Sequence, residues 1–258
     1  MLPPHCVTDT QSWCYGVDGK WLHREGVFLV HRDITSKENL WWSYAPSESY
    51  AVLDRDLNIL TKHIGSSIPS SVVSDGKGAI YSAVDVYLGP LPHQRCLAHV
   101  VRSACRHLPK RSRMEATIRL REIAQSVTQV ETDEEKGQWR QALTIWGYTY
   151  GYLLSERTQA PPESKRKWWY THRALRSAWR LLTTNTESFF MFLTTEGLPK
   201  TNNSLEGVNR NLKGKIGDHR GLIFPYQATL LSWIMAFSRI NDQKDLKKLW
   251  AMWKRRRL

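Results

Sequence analysis

The chain has 258 residues, 41% of them apolar, and carries a formal net charge of +13. That length holds one large domain or two small ones, and that apolar share suffices for a packed core. The charge implies a polyanionic partner, nucleic acid or an anionic membrane surface, but no apolar run approaches the ~18 residues of a membrane span and the start, MLPPHCVTDT, lacks the pattern of a signal peptide.

Residues 1–12 are polar and Pro-containing and are expected to form a disordered start. Trp13–Trp21, Val27–Ile34 and Asn39–Ala45 are rich in β-branched and aromatic residues and are separated by turn formers, which predicts three antiparallel strands. Ser47 is placed to cap a helix over Glu48–His63, with Val52, Leu53, Leu57 and Leu60 as its apolar stripe. Ser71–Asp75 reads as a strand, Gly76–Gly78 as a turn, Ala79–Leu88 as a helix closed by Gly89-Pro90, and His93–Leu97 as a last strand. Strand–helix–strand–helix–strand implies parallel pairing, so the expected fold class is α/β with a mixed five-stranded sheet.

From about His99 to Gly197 the chain becomes helical, basic and rich in tryptophan, of which the whole sequence has 12. Gln138–Leu154 and Trp168–Leu182 are predicted helices, parted by Pro161-Pro162. Lys200–Leu222 then reads as a polar turn and a helix. Asn203 is its expected N-cap, Glu206 lies at capping-box spacing, Leu205, Val208 and Leu212 form the apolar stripe, and Gly214 is placed to end it. Phe224–Ile240 is a final apolar helix, and 243–258 a basic tail. The four cysteines, Cys6, Cys14, Cys96 and Cys105, form no paired C-x-x-C units, so a reduced cytoplasmic setting is expected.

Three acids stand out by position. Asp18 lies in the first strand, on the face of Cys14 and Gly16; Asp75 ends the fourth strand; Glu206 opens the late helix. If the first and fourth strands are neighbours, Asp18 and Asp75 meet at the strand ends where α/β sheets commonly bind ligands. Three carboxylates suit Mg²⁺ or Mn²⁺, and such ions serve phosphodiester chemistry. Singly, each acid is more readily read as a turn, strand-end or cap residue, and Asp33 is a competing candidate.

DGKWL at 18–22, VVSDGKGAI at 72–80, HQRCLAHVVR at 93–102 and TNNSLEGVNRNLKGKIGDHRGL at 201–222 occur in that order. On these motifs the chain resembles a Mutator-type DDE transposase of a bacterial insertion sequence, over roughly Trp13–Ile240. The resemblance implies an RNase H-like sheet of order 3-2-1-4-5 with a large all-α insertion before the last catalytic helix. It implies a catalytic domain at 13–100 and 198–242 and an insertion domain at 101–197. Asp18, Asp75 and Glu206 become the catalytic and metal-binding triad for Mg²⁺ or Mn²⁺. Cys96 and His99 become the family's C-x-x-H pair in a supporting role; as zinc ligands they would need two more donors at regular spacing, and none is seen.

Arg95, Arg102, Arg106, Lys213, Lys215, His219 and Arg220 flank these motifs and are candidate phosphate contacts. Trp168, Trp169 or Trp179 are candidates to stack on a base, with core packing as the competing role. The implied partners are double-stranded DNA, transposon ends and target DNA, with the chain as a nucleoid-associated homodimer; neither a membrane nor a small-molecule substrate is expected. The implied reaction is metal-dependent phosphodiester cleavage and strand transfer. Seventeen residues precede Asp18, fewer than the DNA-reading region such relatives carry. An inactive DNA-binding remnant and a stand-alone nuclease are therefore the alternative readings.

Overall fold

The computed structural model describes residues 12–22, 25–219 and 221–255. Arg220, Cys6 and nearly all of the expected disordered start lie outside the described residues. The chain divides into two units, one drawn from 1–93 and 197–258, the other spanning 94–196.

The first unit is built on a sheet of order β3-β2-β1-β4-β5. Its strands are β1 (Cys14–Leu22), β2 (Gly26–Asp33), β3 (Glu38–Ala45), β4 (Ser71–Ser74) and β5 (His93–Arg95), and the boundary between the units falls within β5. β1 and β2 pair antiparallel, as do β2 and β3, while β1 and β4 run parallel. All eight residues of β2 are buried, as an inner strand covered on both faces requires.

Strand alternation sends Tyr15 and Val17 to one face, where α1 (Tyr50–Ile64) and α2 (Gly78–Leu88) cover them. Leu53, Leu57 and Leu60 of α1 follow helical spacing and are fully buried there with Val72, Ile80 and Ala83. Phe28, Val30 and Trp42 point to the other face. They pack against Leu205 and Leu212 of α7 (Asn203–Asp218) and Leu231 and Met235 of α8 (Phe224–Phe237). Each such buried side chain contributes about 1.5–3 kcal/mol, so α7 is held to the sheet by its apolar stripe.

One buried polar chain crosses the first of these cores. Tyr15 Oη lies 2.7 Å from His31 Nδ1, and His31 Nε2 lies 3.4 Å from Asp56 Oδ2. Arg55 donates two hydrogen bonds to Asp56 Oδ1, and Ser43 donates to Oδ2. Burial pushes the Asp56 carboxyl up, but these partners outweigh it and hold it below the ordinary aspartate value.

The second unit is mainly helical: α3 (Leu97–His107), α4 (Glu115–Ser126), α5 (Asp133–Tyr150) and α6 (Arg173–Thr183), with a two-stranded hairpin of β6 (Arg157–Gln159) and β7 (Trp168–Tyr170). Its core gathers Leu97, Val100, Leu120, Trp139, Trp146 and Leu182, among others.

Several predicted boundaries move. The helix expected over Trp168–Leu182 begins as a strand: Trp168, Trp169 and Tyr170 are strand formers, and β7 pairs with β6 in the register Gln159↔Trp168. The helix expected over Gln138–Leu154 starts at Asp133, because Thr132 and Glu135 form a capping box, and it tightens into a 3₁₀ turn at Gly151–Leu154. The α1 helix is capped at Ser49, not Ser47. Gly214 does not end α7, which runs on to Asp218; Ile216 packs into the sheet-side core and offsets the ~1 kcal/mol that a helical glycine costs. The N-cap of α7 is Asn202, whose side chain makes no capping bond, so the Asn203–Glu206 capping box does not form. Residues from the expected basic tail form α9 (Gln243–Arg255).

Candidate acidic site

β1 and β4 lie side by side in the parallel register Gly16↔Val73. Asp18 stands two residues beyond Gly16, and Asp75 two residues beyond Val73. Asp18 is 9% exposed. Its Oδ1 accepts from the Gly19 backbone N–H at 2.9 Å, and its Oδ2 accepts from Asn209 Nδ2 at 2.7 Å. Asp75 follows the last residue of β4, and its Oδ1 accepts from the Lys77 backbone N–H at 3.1 Å, which closes the turn into α2.

A third carboxylate, Glu48, is tied to Asp75 through Lys77. Glu48 precedes α1, and its side chain is only 4% exposed. A Cβ at Gly19 would stand 3.3 Å from Glu48 Oε2, so the glycine leaves room for the carboxylate beside β1. Lys77 Nζ bridges the group, 2.8 Å from Asp75 Oδ2 and bonded to Glu48 Oε2. Burial raises the Glu48 carboxyl above its ordinary range; Lys77 pulls it down, while Asp75 and Asp18 push it up again. Burial also works against the Lys77 ammonium, but its bonds to Asp75 and Glu48 prevail and hold it above the usual lysine value.

Glu206 is half-buried in the first turn of α7. Asn209, one turn further on, is buried and grips Asp18, so Glu206 rises from the stretch of helix anchored to β1. The competing acid, Asp33, is explained locally. It accepts from the Thr35 and Ser36 backbone N–H groups and from Ser36 Oγ, the pattern of an aspartate holding a turn.

Asn209, Glu48 and Lys77 were not among the residues singled out by sequence. Asn209 lies three residues after Glu206 and shares its side of the helix, which is the one signal it carries. Lys77 stands two residues after Asp75 in SDGKG, and Glu48 stands just before the cap of α1, near a helix N-terminus where an acid is also favoured by the helix dipole.

Near Asp75, the hydroxyl of Ser74 bonds His93 Nε2 at 2.7 Å, and the Tyr81 ring lies against His93 with centroids 3.9 Å apart and the rings tilted by 34°. Burial lowers His93 to about 4, against a smaller upward pull from Asp75, so the imidazole is neutral.

Other predicted residues belong to the second unit. Cys96 is buried at the start of α3, and its sulfur lies within 4.8 Å of a ring nitrogen of His99. The Arg95 guanidinium sits 5.5 Å from the Phe189 ring centroid, Arg102 is exposed, and Arg106 is exposed and donates to Ser103 Oγ. Trp179 stacks on Trp146 with centroids 4.7 Å apart, a packing role. Trp168 is 39% exposed and carries the Arg157 guanidinium 3.9 Å over its ring, whereas Trp169 is half-buried. In the first unit, Lys213, Lys215 and His219 are exposed on the last turns of α7 and just beyond it.

Among the described residues no helix is long and apolar enough to cross a membrane. The fold and site define an α/β protein with clustered carboxylates and a strongly basic composition. Its sequence matches the family model described as Transposase IS66 family over residues 28–214, and the chain belongs to that family. No curated protein matches it. The match covers Asp75 and Glu206 and begins beyond Asp18. It supports a transposase but corrects the Mutator-type assignment.

Proposed function

We propose that this chain is the catalytic part of a DDE transposase with an RNase H-like fold, performing metal-dependent phosphodiester cleavage and strand transfer on the DNA of a mobile element. The observation that carries this reading is the parallel pairing of β1 and β4, with Asp18 and Asp75 each two residues beyond the pair Gly16↔Val73, and α7 pinned to Asp18 by Asn209 and bearing Glu206 one turn away.

Asp18, Asp75 and Glu206 would hold Mg²⁺ or Mn²⁺. The donor set fits such an ion: these are hard oxygen ligands, and the neighbouring Glu48 Oε1 is buried with no hydrogen-bond partner among the described residues. Bound there, a divalent ion would activate a water or 3′-hydroxyl and neutralise charge at the phosphodiester. The chain's own part is positioning. Asn209 and the Gly19 N–H fix the two oxygens of Asp18, and the Lys77 N–H fixes Asp75.

Arg95, Arg102, Arg106, Lys213, Lys215, His219 and Arg220 are proposed to contact the phosphates of transposon ends and target DNA. Trp168 and Trp169 are proposed to meet bases, and Cys96 and His99 to support the site. The helical segment 101–197 is read as an insertion domain, and the working form as a cytoplasmic, nucleoid-associated homodimer.

Nicking of supercoiled plasmid with Mg²⁺ or Mn²⁺ tests the reading, beside Glu206→Gln and Asp75→Asn. The expected result is nicking by the parent alone, with all three proteins binding DNA, and joining of element ends by the parent. Binding without nicking by the parent would make the chain an inactive remnant. Nicking without joining would make it a nuclease.

A further inference from the structure

We propose that Glu48 is a fourth metal-directed carboxylate of this site, and that the Lys77 ammonium occupies the cation seat between Glu48 and Asp75 until a divalent ion displaces it. The inference rests on the metal-site reading above and adds two residues to it.

The geometry begins with one cation shared by two acids from different elements. Lys77 Nζ sits 2.8 Å from Asp75 Oδ2 and is bonded to Glu48 Oε2. An ammonium at that point marks a place where positive charge is stabilised. It does not satisfy the place. Asp18, Asp75 and Glu48 set three carboxylates against one ammonium, and Glu48 experiences both aspartates as like charges.

Glu48 itself is poorly provided for. Its side chain is 4% exposed, yet Oε1 is buried with no hydrogen-bond partner among the described residues. A carboxylate withdrawn from water normally fills its lone pairs with donors or a cation. Oε1 belongs to the carboxylate whose Oε2 meets Lys77, and an unfilled carboxylate oxygen is the kind of ligand atom a hard divalent ion takes.

The two partners also differ in how easily they leave. Lys77 is 47% exposed, on a flexible four-carbon stem at the residue before α2, so its ammonium can swing into solvent. Glu48 is held by burial. A divalent ion at the same distance interacts about twice as strongly with each carboxylate as a monovalent one. Metal entry therefore releases Lys77 and keeps Glu48. While Lys77 is seated it lowers the apparent metal affinity by the fraction of time it occupies the place.

The test is Mn²⁺ titration of the full chain without DNA, with free Mn²⁺ read by electron paramagnetic resonance. The parent is compared with Glu48→Gln, Lys77→Met and Asp75→Asn, each checked for cooperative thermal unfolding. Glu48→Gln is expected to weaken Mn²⁺ binding about ten-fold, and Lys77→Met to tighten it about three-fold or more. Should Glu48→Gln not fold, Glu48→Asp, which keeps the charge and withdraws the ligand oxygens, takes its place and is likewise expected to weaken binding. Parental affinity in Glu48→Gln, or no tightening in Lys77→Met, with binding lost in Asp75→Asn, overturns this proposal and leaves the metal site standing. No Mn²⁺ binding by the parent overturns both.

Discussion

Asn209 Nδ2 donates to Asp18 Oδ2 at 2.7 Å, tying α7 to β1 across 191 positions of the chain. The bond is buried, and Asp18 Oδ1 is held separately by the Gly19 N–H. Asn209 thus sets the orientation of a carboxylate it follows by most of the sequence. Asn209→Ala should lower metal-dependent nicking about ten- to hundred-fold while plasmid binding stays at the parental level. Equal nicking rates at saturating DNA would remove Asn209 from the site.

The seating of α7 depends on its apolar stripe. Leu212 is 1% exposed, between Phe28, Val30 and Trp42 of the sheet and Leu231 of α8. Leu212→Ala should cost about 2–5 kcal/mol in urea unfolding through the cavity it leaves. A loss below 1 kcal/mol would mean that the helix is held chiefly by its polar contacts.

His93 makes folding pH-dependent. Burial lowers it to about 4 in the folded protein, against an ordinary value of 6.5. Between these values the unfolded chain binds the extra proton, so stability rises with pH across that window and the contribution is complete above it. Unfolding midpoints measured from pH 4 to pH 7 should climb, and His93→Phe should flatten the climb. An unchanged slope in the variant would assign the dependence to other groups. Asp56 acts in the same direction at lower pH: its carboxyl is held below the ordinary value, so the stability it contributes is present above the unfolded value and is lost as pH falls through the folded one.

Cys14 should be inert in the folded chain. It is 2% exposed, and burial pushes its thiol up to about 12, so almost none is thiolate at neutral pH. Iodoacetamide followed by peptide mapping should label the half-exposed Cys105 first and Cys14 only after denaturation. Labelling of native Cys14 at the rate of Cys105 would show that β1 opens locally.

Lys213 and Lys215 are exposed on α7 beyond the acids. If they contact phosphates, each change to Ala should reduce the slope of log binding constant against log salt by about one unit, without altering sequence preference. An unchanged slope would make them ordinary surface lysines.

The strands themselves were legible because local pattern and chain economy decide them, while their order 3-2-1-4-5 was implied by the family resemblance. Trp13–Trp21, Val27–Ile34 and Asn39–Ala45 alternate as strands must, and short connections leave a meander as the simple path. Asp75 before Gly76 declared the turn that its side chain closes. The polar partners were not legible. Nothing near Glu48 in sequence announces Asp75 or Lys77, and nothing near Asn209 announces Asp18.

Composition and periodicity by themselves determined an α/β chain of strongly basic charge, with acids at strand ends and a separate helical stretch in the middle. They did so because alternation, helical spacing and turn residues are properties of neighbours in the chain. Tertiary structure alone decided that Asn209 holds Asp18, that Glu48 joins the aspartates and that Lys77 bridges two of the acids. It also decided that Trp168 begins in a strand and that α7 runs through Gly214. These outcomes depend on burial and long-range contact, where the energy of a packed or paired side chain exceeds the local preference of its residue type.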